Sequence, residues 1–255
     1  MITIFSYNVN VIRAALRKGF IDWLKAANPD ILCIQETKAQ HEQIDCEAIR
    51  DLGYGCYTFS AEKKGYSGVA VLSKTEPEDV FTGMGIPFFD NEGRVIHMDF
   101  GGFQLVNAYF PSGTTGDARQ KVKMVFLQAI QEHVSGLLNE QSRLILSGDF
   151  NICHKPIDIN RPEKHTTVSG FLPEERAWMD QFLSKGFNDS FRMMNQEPDW
   201  YSWWSYRANA RAKNLGWRID YNMVSDGLVK HVKAAGIHQD AYHSDHCPVS
   251  VTLDL

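Results

Sequence analysis

No apolar run in the sequence approaches the ~20 residues needed to cross a bilayer, which excludes membrane-spanning helices and leads us to expect no membrane partner. Cysteine is scarce. The five present, Cys33, Cys46, Cys56, Cys153 and Cys247, are odd in number, far apart along the chain and never in CxxC spacing. That pattern argues against a zinc site or a disulfide framework and predicts reduced thiols in a reducing compartment. An excess of positive charge is also missing. The formal net charge of −5 gives no general attraction to phosphates, so any anionic substrate must be held by local cations or a metal. Met1 to Tyr7 has none of the basic, apolar and small-residue segments of a signal peptide, and the expected location is the cytoplasm. There is no Pro/Gly/Ser-rich linker and no internal repeat at solenoid periods.

Hydrophobic residues are plentiful. At 44% hydrophobic and 12% aromatic over 255 residues, the chain can bury a large core, and we expect one domain over residues 1–255. Short runs rich in β-branched and aromatic residues predict strands at Ile2 to Tyr7, Ile31 to Ile34, Val69 to Leu72, Val95 to Phe100, Phe103 to Phe110, Leu144 to Leu146, Arg218 to Val224 and Val249 to Leu253. Gly101-Gly102 predicts a hairpin with positive φ at both turn positions. Helices are predicted with Leu16, Phe20, Leu24 and Ala27 on one face, from about Asp117 to Leu138, and from Pro173-Glu174-Glu175 onward. Interspersed strands and helices give an α/β fold with two packed sheets and helices outside.

The polar residues that close the strands are the informative ones. Asn8 and Asn10 follow the first strand, Glu36 the second, and Tyr109 stands near the end of Phe103 to Phe110. Asp149 and Asn151 follow Leu144 to Gly148, Asp220 interrupts Trp217 to Val224, and Asp245-His246 precedes the last strand. Rigid strands commonly present an active site in this way. Hard oxygens from Glu36, Asp245 and the amides suit Mg²⁺ or Mn²⁺ rather than zinc. His246 can stabilise phosphoryl charge while Asp220 or another carboxylate keeps it cationic, and Asp149 can position or deprotonate a water. Taken singly, an Asp or Asn after a strand is an ordinary turn former, His246 beside Asp245 an ordinary surface pair and Tyr109 ordinary packing. Their co-occurrence in order carries the argument.

Tyr7-Asn-Val-Asn10, Ile34-Gln-Glu-Thr-Lys38, Gly65-Tyr-Ser-Gly-Val-Ala70, Glu92-Gly-Arg-Val95, Ala108-Tyr-Phe-Pro-Ser112, Ser147-Gly-Asp-Phe-Asn151, Gly170-Phe-Leu-Pro-Glu-Glu175, Gly216-Trp-Arg-Ile-Asp-Tyr221 and Ser244-Asp-His246 span nearly the whole chain. Together they resemble the exonuclease III family of abasic-site endonucleases. The resemblance implies a four-layered αββα sandwich of the deoxyribonuclease I-like superfamily, with Glu36 as principal metal ligand supported by Asn10, Asn8 and Asp245. It implies that Asp149 activates the water or protonates the leaving group, that Tyr109, Asn151 and His246 hold the scissile phosphate, and that Asp220 pairs with His246. The implied reaction is Mg²⁺-dependent hydrolysis 5′ to an abasic sugar, leaving a 3′-hydroxyl, with 3′-phosphatase, 3′-phosphodiesterase and 3′→5′ exonuclease activities. The implied partner is double-stranded DNA with abasic sites or 3′ ends, met by a monomer near the nucleoid if the source is bacterial.

Between Trp203 and Arg218 the sequence interleaves cations with aromatics and has no acid, which suits phosphate contacts plus stacking. Trp203, Trp217 and Ile219 match the family's apolar pocket lining, and Arg207, Asn209, Arg211 and Lys213 are the expected DNA contacts. Three positions depart from the family: Val11 stands where glycine is common, making a positive φ improbable there; position 10 is Asn where some relatives have Asp; and Lys164-His-Thr-Thr-Val168 replaces a Lys/Asn-rich loop. The competing readings are a phosphatase of the same fold acting on a non-DNA phosphoester, and a non-catalytic DNA-binding or scaffold protein.

Overall fold

The computed structural model describes residues 1–255. In the first strand, β1 (Ile2–Asn8), side chains alternate between faces: Phe5 and Tyr7 enter one apolar cluster and Ile4 another, with Ser6 and Asn8 continuing on the Ile4 side. Then come α1 (Ile12–Arg17), α2 (Phe20–Ala27), β2 (Ile31–Gln35), α3 (Cys46–Arg50), β3 (Gly55–Phe59), β4 (Val69–Ser73), β5 (Asp79–Thr82), α4 (Pro87–Asp90), β6 (Val95–Asp99) and β7 (Gln104–Tyr109). The second half holds α5 (Asp117–Glu140), β8 (Leu144–Asp149), α6 (Pro173–Leu183), β9 (Phe187–Asp189), α7 (Ser190–Met194), β10 (Asp220–Ser225), β11 (Val232–Ile237) and β12 (Val249–Leu253).

These strands form two six-stranded sheets, ordered β11-β12-β1-β2-β4-β3 and β5-β6-β7-β8-β10-β9. Both are mixed, since β1/β2 and β7/β8 pair in parallel and the other pairs are antiparallel. Ile4, Ile31, Cys33, Leu105, Ile145 and Val224 meet between the sheets. Phe20, Leu24 and Ile49 cover the outer face of the first sheet from α2 and α3, and Phe126, Ile130, Met179 and Phe182 cover the second from α5 and α6. The result is the expected four-layered αββα sandwich. No helix is long and apolar enough to cross a membrane.

Four strands escaped the hydrophobic pattern, β3, β5, β9 and β11, and they are the four sheet edges. An edge strand has one unpaired side and often one wet face, so its apolar signal is weak; all four residues of β5 are exposed. The predicted helix through Leu16 and Ala27 is two helices, broken at Lys18-Gly19. In the β6–β7 hairpin only Gly101 takes positive φ (72°), because its N–H donates to Asp99 Oδ1 (2.7 Å) and the second glycine need not follow. The expectation of five reduced thiols is also corrected. Cys46 and Cys56 form a disulfide, because β3 runs back beside α3 and brings their Cα atoms to 5.9 Å, within bridging range. Cys33, Cys153 and Cys247 are free and buried.

The segment after β1 departs furthest from expectation. Asn10 has φ 41° and Val11 φ 85°, a conformation that crowds a β-branched side chain. Tertiary hydrogen bonds impose it: Val9 N donates to Gln35 O, Val11 N to Glu36 O and Ile12 N to Thr37 O, while Asn10 N donates to Asn8 Oδ1. Strain of this kind costs on the order of 1–3 kcal/mol and persists where the surroundings over-determine it. Val11→Gly should relieve it, and after the entropy cost of glycine the net gain is about 1 kcal/mol. A thermal melt should show Tm raised by about 2–4 °C; an unchanged or lower Tm would mean that the Val11 side chain stabilises more by packing than its backbone costs.

Candidate active site

On the facing sides of the sheets, five inner strands carry apolar residues at one end and polar ones at the other. Ile4 is followed by Ser6 and Asn8, Cys33 by Gln35, Leu105 by Asn107 and Tyr109, and Ile145 by Ser147 and Asp149; β10 runs the other way from Asp220 through Asn222 to Val224. Strand register aligns these ends, with Asn8 opposite Gln35, Tyr109 and Asp220 both opposite Asp149, and Asn107 and Asn222 both opposite Ser147. Gln35 Nε2 donates to Ser6 Oγ (2.9 Å) and Asn107 Oδ1 (2.7 Å), so this buried layer ties the two sheets together below the rim.

The rim surrounds a cavity of about 340 Å³ lined by Asn10, Glu36, Lys38, Tyr109, Asp149, Asn151, Trp203, Trp217, Ile219, Asp245 and His246, among others. One wall collects oxygens. Glu36 Oε1 is 2.8 Å from Lys38 Nζ, which also donates to Asn10 Oδ1 (2.9 Å). Asp245 Oδ1 accepts from Asn10 Nδ2 (3.0 Å) and its Oδ2 from the Trp203 indole N–H (3.0 Å). A lysine ammonium lying between Glu36 and Asn10 shows that this wall favours a cation, and its all-oxygen donor set fits a hard divalent ion. Burial pushes the Asp245 carboxyl up, but the His246 charge and the Asn10 and Trp203 donors outweigh it and hold the carboxyl below its usual range.

The opposite wall centres on His246. Its Nδ1 lies 2.9 Å from Asp220 Oδ2, which also accepts from Ser202 Oγ (2.6 Å), and its Nε2 is 3.9 Å from Asp149 Oδ2. Burial alone would depress the imidazolium; the charges of Asp220, Asp149 and Asp245 overcome it and lift the pKa to about 10, so the ring is cationic at neutral pH. Burial, then Asp220, raises the Asp149 carboxyl to about 7. Asp149, Asp220 and His246 present ligand-type atoms within 4.8 Å of one another. That trio is not where a hard cation fits best, since the imidazole that would be one of its ligands is itself cationic.

Asn8, expected among the metal ligands, has another position. It is fully buried; its Nδ2 donates to both Glu36 Oε2 (3.1 Å) and Asp149 Oδ2 (2.8 Å), and its Oδ1 is taken by Asn10 N. It bridges the two walls rather than facing the cavity. Asn151 has φ 54° and donates Nδ2 to Phe110 O (3.0 Å) and Asp149 Oδ2 (3.2 Å). Tyr109 is held from behind by Arg94, whose guanidinium lies 4.9 Å from its ring centroid and donates to its carbonyl (2.9 Å).

Trp203, Trp217 and Ile219 line the cavity together, the two indoles edge-on with centroids 5.9 Å apart. Arg207, Asn209 and Lys213 are exposed beside it. Arg211 differs from the expectation of a phosphate contact. Its guanidinium donates to the carbonyls of Ser244, Gln239 and Ala241 and is sandwiched between Trp204 and Tyr242, which clamps the 205–216 loop to the segment preceding Asp245. Arg218 is buried against Asp158 (2.8 Å) and Asp189 (2.6 Å). Sequence reasoning gave no role to Ser202, Arg94 or Lys123. Lys123 had a signal, a charge at helical spacing with Phe126, Leu127 and Ile130, whereas nothing local marks Ser202.

The profile of the Endonuclease/Exonuclease/phosphatase family matches residues 5–248. The chain is 41% identical over 254 residues to an exodeoxyribonuclease of Bacillus subtilis, covering 99% of each. It is 39% identical over 253 residues to the DNA repair nuclease APEX1 of Danio rerio, covering 98% of this chain and 81% of that one. Among solved structures, a 3′ phosphatase from Neisseria bound to a product DNA hairpin superposes with TM-score 0.92 at 30% identity and full coverage of both chains. An AP endonuclease from Archaeoglobus fulgidus gives the same values.

The two loop arginines should separate cleanly. Arg211→Ala removes charged donors from three partly buried carbonyls and should destabilise by roughly 2–4 kcal/mol, read as a lower urea midpoint at unchanged slope. Arg207→Ala should stay within about 0.5 kcal/mol of wild type. Equal midpoints for both variants would remove the clamp assigned to Arg211.

Proposed function

Because the chain belongs to the endonuclease/exonuclease/phosphatase family, as a DNA-repair nuclease of the exonuclease III type, we propose that it is a divalent-metal-dependent phosphodiesterase that cuts DNA 5′ to abasic sites and trims 3′ ends. The observation that carries this reading is the two-walled cavity: a cation-favouring oxygen wall faces a cationic His246, and Asp149 and Asn151 lie between them beside an apolar pocket. Glu36, Asn10 and Asp245 would hold Mg²⁺, with Mn²⁺ as a substitute; the ion supplies Lewis-acid neutralisation of phosphoryl charge. The remaining work belongs to side chains. Asp149, with a carboxyl raised towards neutrality, accepts the proton of the attacking water. His246 directs Nε2–H at the phosphoryl oxygens while Asp220 fixes its other nitrogen, and Tyr109 and Asn151 orient the same phosphate.

Selection of the abasic site follows from size. A bare deoxyribose fits the small pocket of Trp203, Trp217 and Ile219 and costs little to extrude, whereas an intact nucleotide must also house its base. The 164–168 segment shapes the same pocket, since His165 packs edge-on against Trp217 at 5.0 Å and Val168 lines the cavity. Arg207, Asn209 and Lys213 are the phosphate contacts of the flanking duplex.

Nicking of an abasic duplex, phosphate release from a 3′-phosphorylated duplex and phosphate release from an inositol phosphate, each with Mg²⁺ and with excess EDTA, test the reading together. Activity on the two DNAs that EDTA abolishes is expected; activity on the inositol phosphate alone would favour the same-fold phosphatase. Asp149→Asn should lower kcat by about 10²–10⁴ with DNA binding retained. In wild type, kcat/KM should rise as Asp149 ionises, with a midpoint at or below its metal-free value of about 7, since a bound dication favours the carboxylate. Titrating Trp217→Ala with abasic and intact DNA should show a greater loss on the abasic one; equal losses would leave the pocket without a role in selection.

A further inference from the structure

Beneath the cavity lies an ion pair that none of these roles uses. Lys123 of α5 and Glu175 of α6 have fully buried side chains and meet at 2.5 Å. Such a pair gains little stability over apolar residues of similar volume, because desolvating both charges offsets their attraction. Its other contacts reach the cavity. Lys123 Nζ donates to the carbonyl of Asn151 (2.8 Å), and Glu175 Oε2 accepts from the backbone N–H groups of Gly170 (2.7 Å) and Leu172 (3.0 Å). Glu175 Oε1 also accepts from Gln120 Nε2 (3.0 Å) and Ser169 Oγ (3.2 Å).

Both anchored segments are conformationally demanding. Asn151 holds φ 54° and Gly170 φ 100°, and a Cβ at Gly170 would lie 2.8 Å from the Trp217 ring and 3.2 Å from Asn151 O. Gly170 is therefore wedged between the phosphate-binding residue and the pocket wall, and the charges behind it fix both at once. We infer that Lys123 and Glu175 are positioning residues for the hydrolysis, tying Asn151 and the 169–172 backbone to the two outer helices so that phosphate grip and pocket wall keep one spacing. The inference rests on the nuclease reading.

The test removes both charges together. Lys123→Met with Glu175→Gln leaves no lone buried ion, and the amide oxygen at 175 can still accept from Gly170 N. The urea midpoint reports folding. The folded variant should lose on the order of 10-fold to 10²-fold in kcat on abasic DNA, as a sub-ångström to 1 Å misplacement does, with KM within about threefold of wild type. In an Asn151→Ala background the same pair should cost clearly less than it does in wild type, because one of the two elements it positions has lost its side chain. Should the pair of substitutions unfold the chain, Lys123→Arg, which keeps the charge but changes its reach to Asn151 O, is put through the same cycle and should show the same loss and the same non-additivity. A folded variant with wild-type kcat, or a kcat loss fully additive with Asn151→Ala, overturns the positioning role. An inactive wild type overturns the nuclease reading, and this role with it; an active wild type beside an unimpaired variant overturns the positioning role alone.

Discussion

Between the sheets, the side chain of Gln35 donates to Ser6 and Asn107, Asn107 donates onward to the carbonyls of Ile34 and Ala70, and Ser147 donates to Asn222. These groups are buried, where a broken hydrogen bond costs far more than at a surface, so the spacing and register of the two sheets are tightly determined at this level. Five polar residues at or beside the rim stand one or two residues further along the same strands. Asn8 lies two beyond Ser6, Glu36 one beyond Gln35, Tyr109 two beyond Asn107, Asp149 two beyond Ser147 and Asp220 two before Asn222. A slip of one residue in any strand would turn its rim group away from the cavity. The amide and hydroxyl layer is thus the constraint from which the site inherits its geometry.

Above that layer the charges divide into two systems, and Asn8 donates a hydrogen bond to a carboxylate of each. Glu36, Asp245 and Asn10 gather negative potential on one wall, relieved by Lys38, while Asp220 and Asp149 enclose a cationic His246 on the other. An amide suits the junction because it donates to both carboxylates without adding charge. A carboxylate there would repel both neighbours, and an apolar residue would take a donor from the buried Asp149 Oδ2 and from the partly buried Glu36 Oε2.

The inner strands and the ordered polar residues at their ends were legible in the sequence because two-sided burial writes a dense apolar pattern and the site interrupts it. The edge strands were not, since half of their surroundings is solvent. Glu36, Tyr109, Asp149 and Asn151 could be picked out from their places at or after strand ends, Asp220 from its interruption of a strand, and Asp245 and His246 from their place before the last strand. The different use of Asn8 and Arg211 could not, because whether an amide or a guanidinium faces a cavity or a neighbouring backbone depends on contacts more than 25 residues away in sequence. The positive φ of Val11 was hidden for a related reason: local sterics argue against it, and hydrogen bonds from β2 and the turn after it override them.

The pairing of β1 with β12 has a consequence for the order of events during synthesis. Ile2 lies opposite Leu253, so β1 gains this antiparallel neighbour only after β12, made much later, has left the ribosome. Until then β1 offers an unpaired edge in what will be the middle of a sheet, the kind of exposed strand that invites pairing with another chain. Asp245 and His246 travel with that late strand. A nascent chain can therefore bring Asn10 and Glu36 together early but cannot complete either wall of the cavity, and acquisition of hydrolytic competence coincides with closure of the sheet.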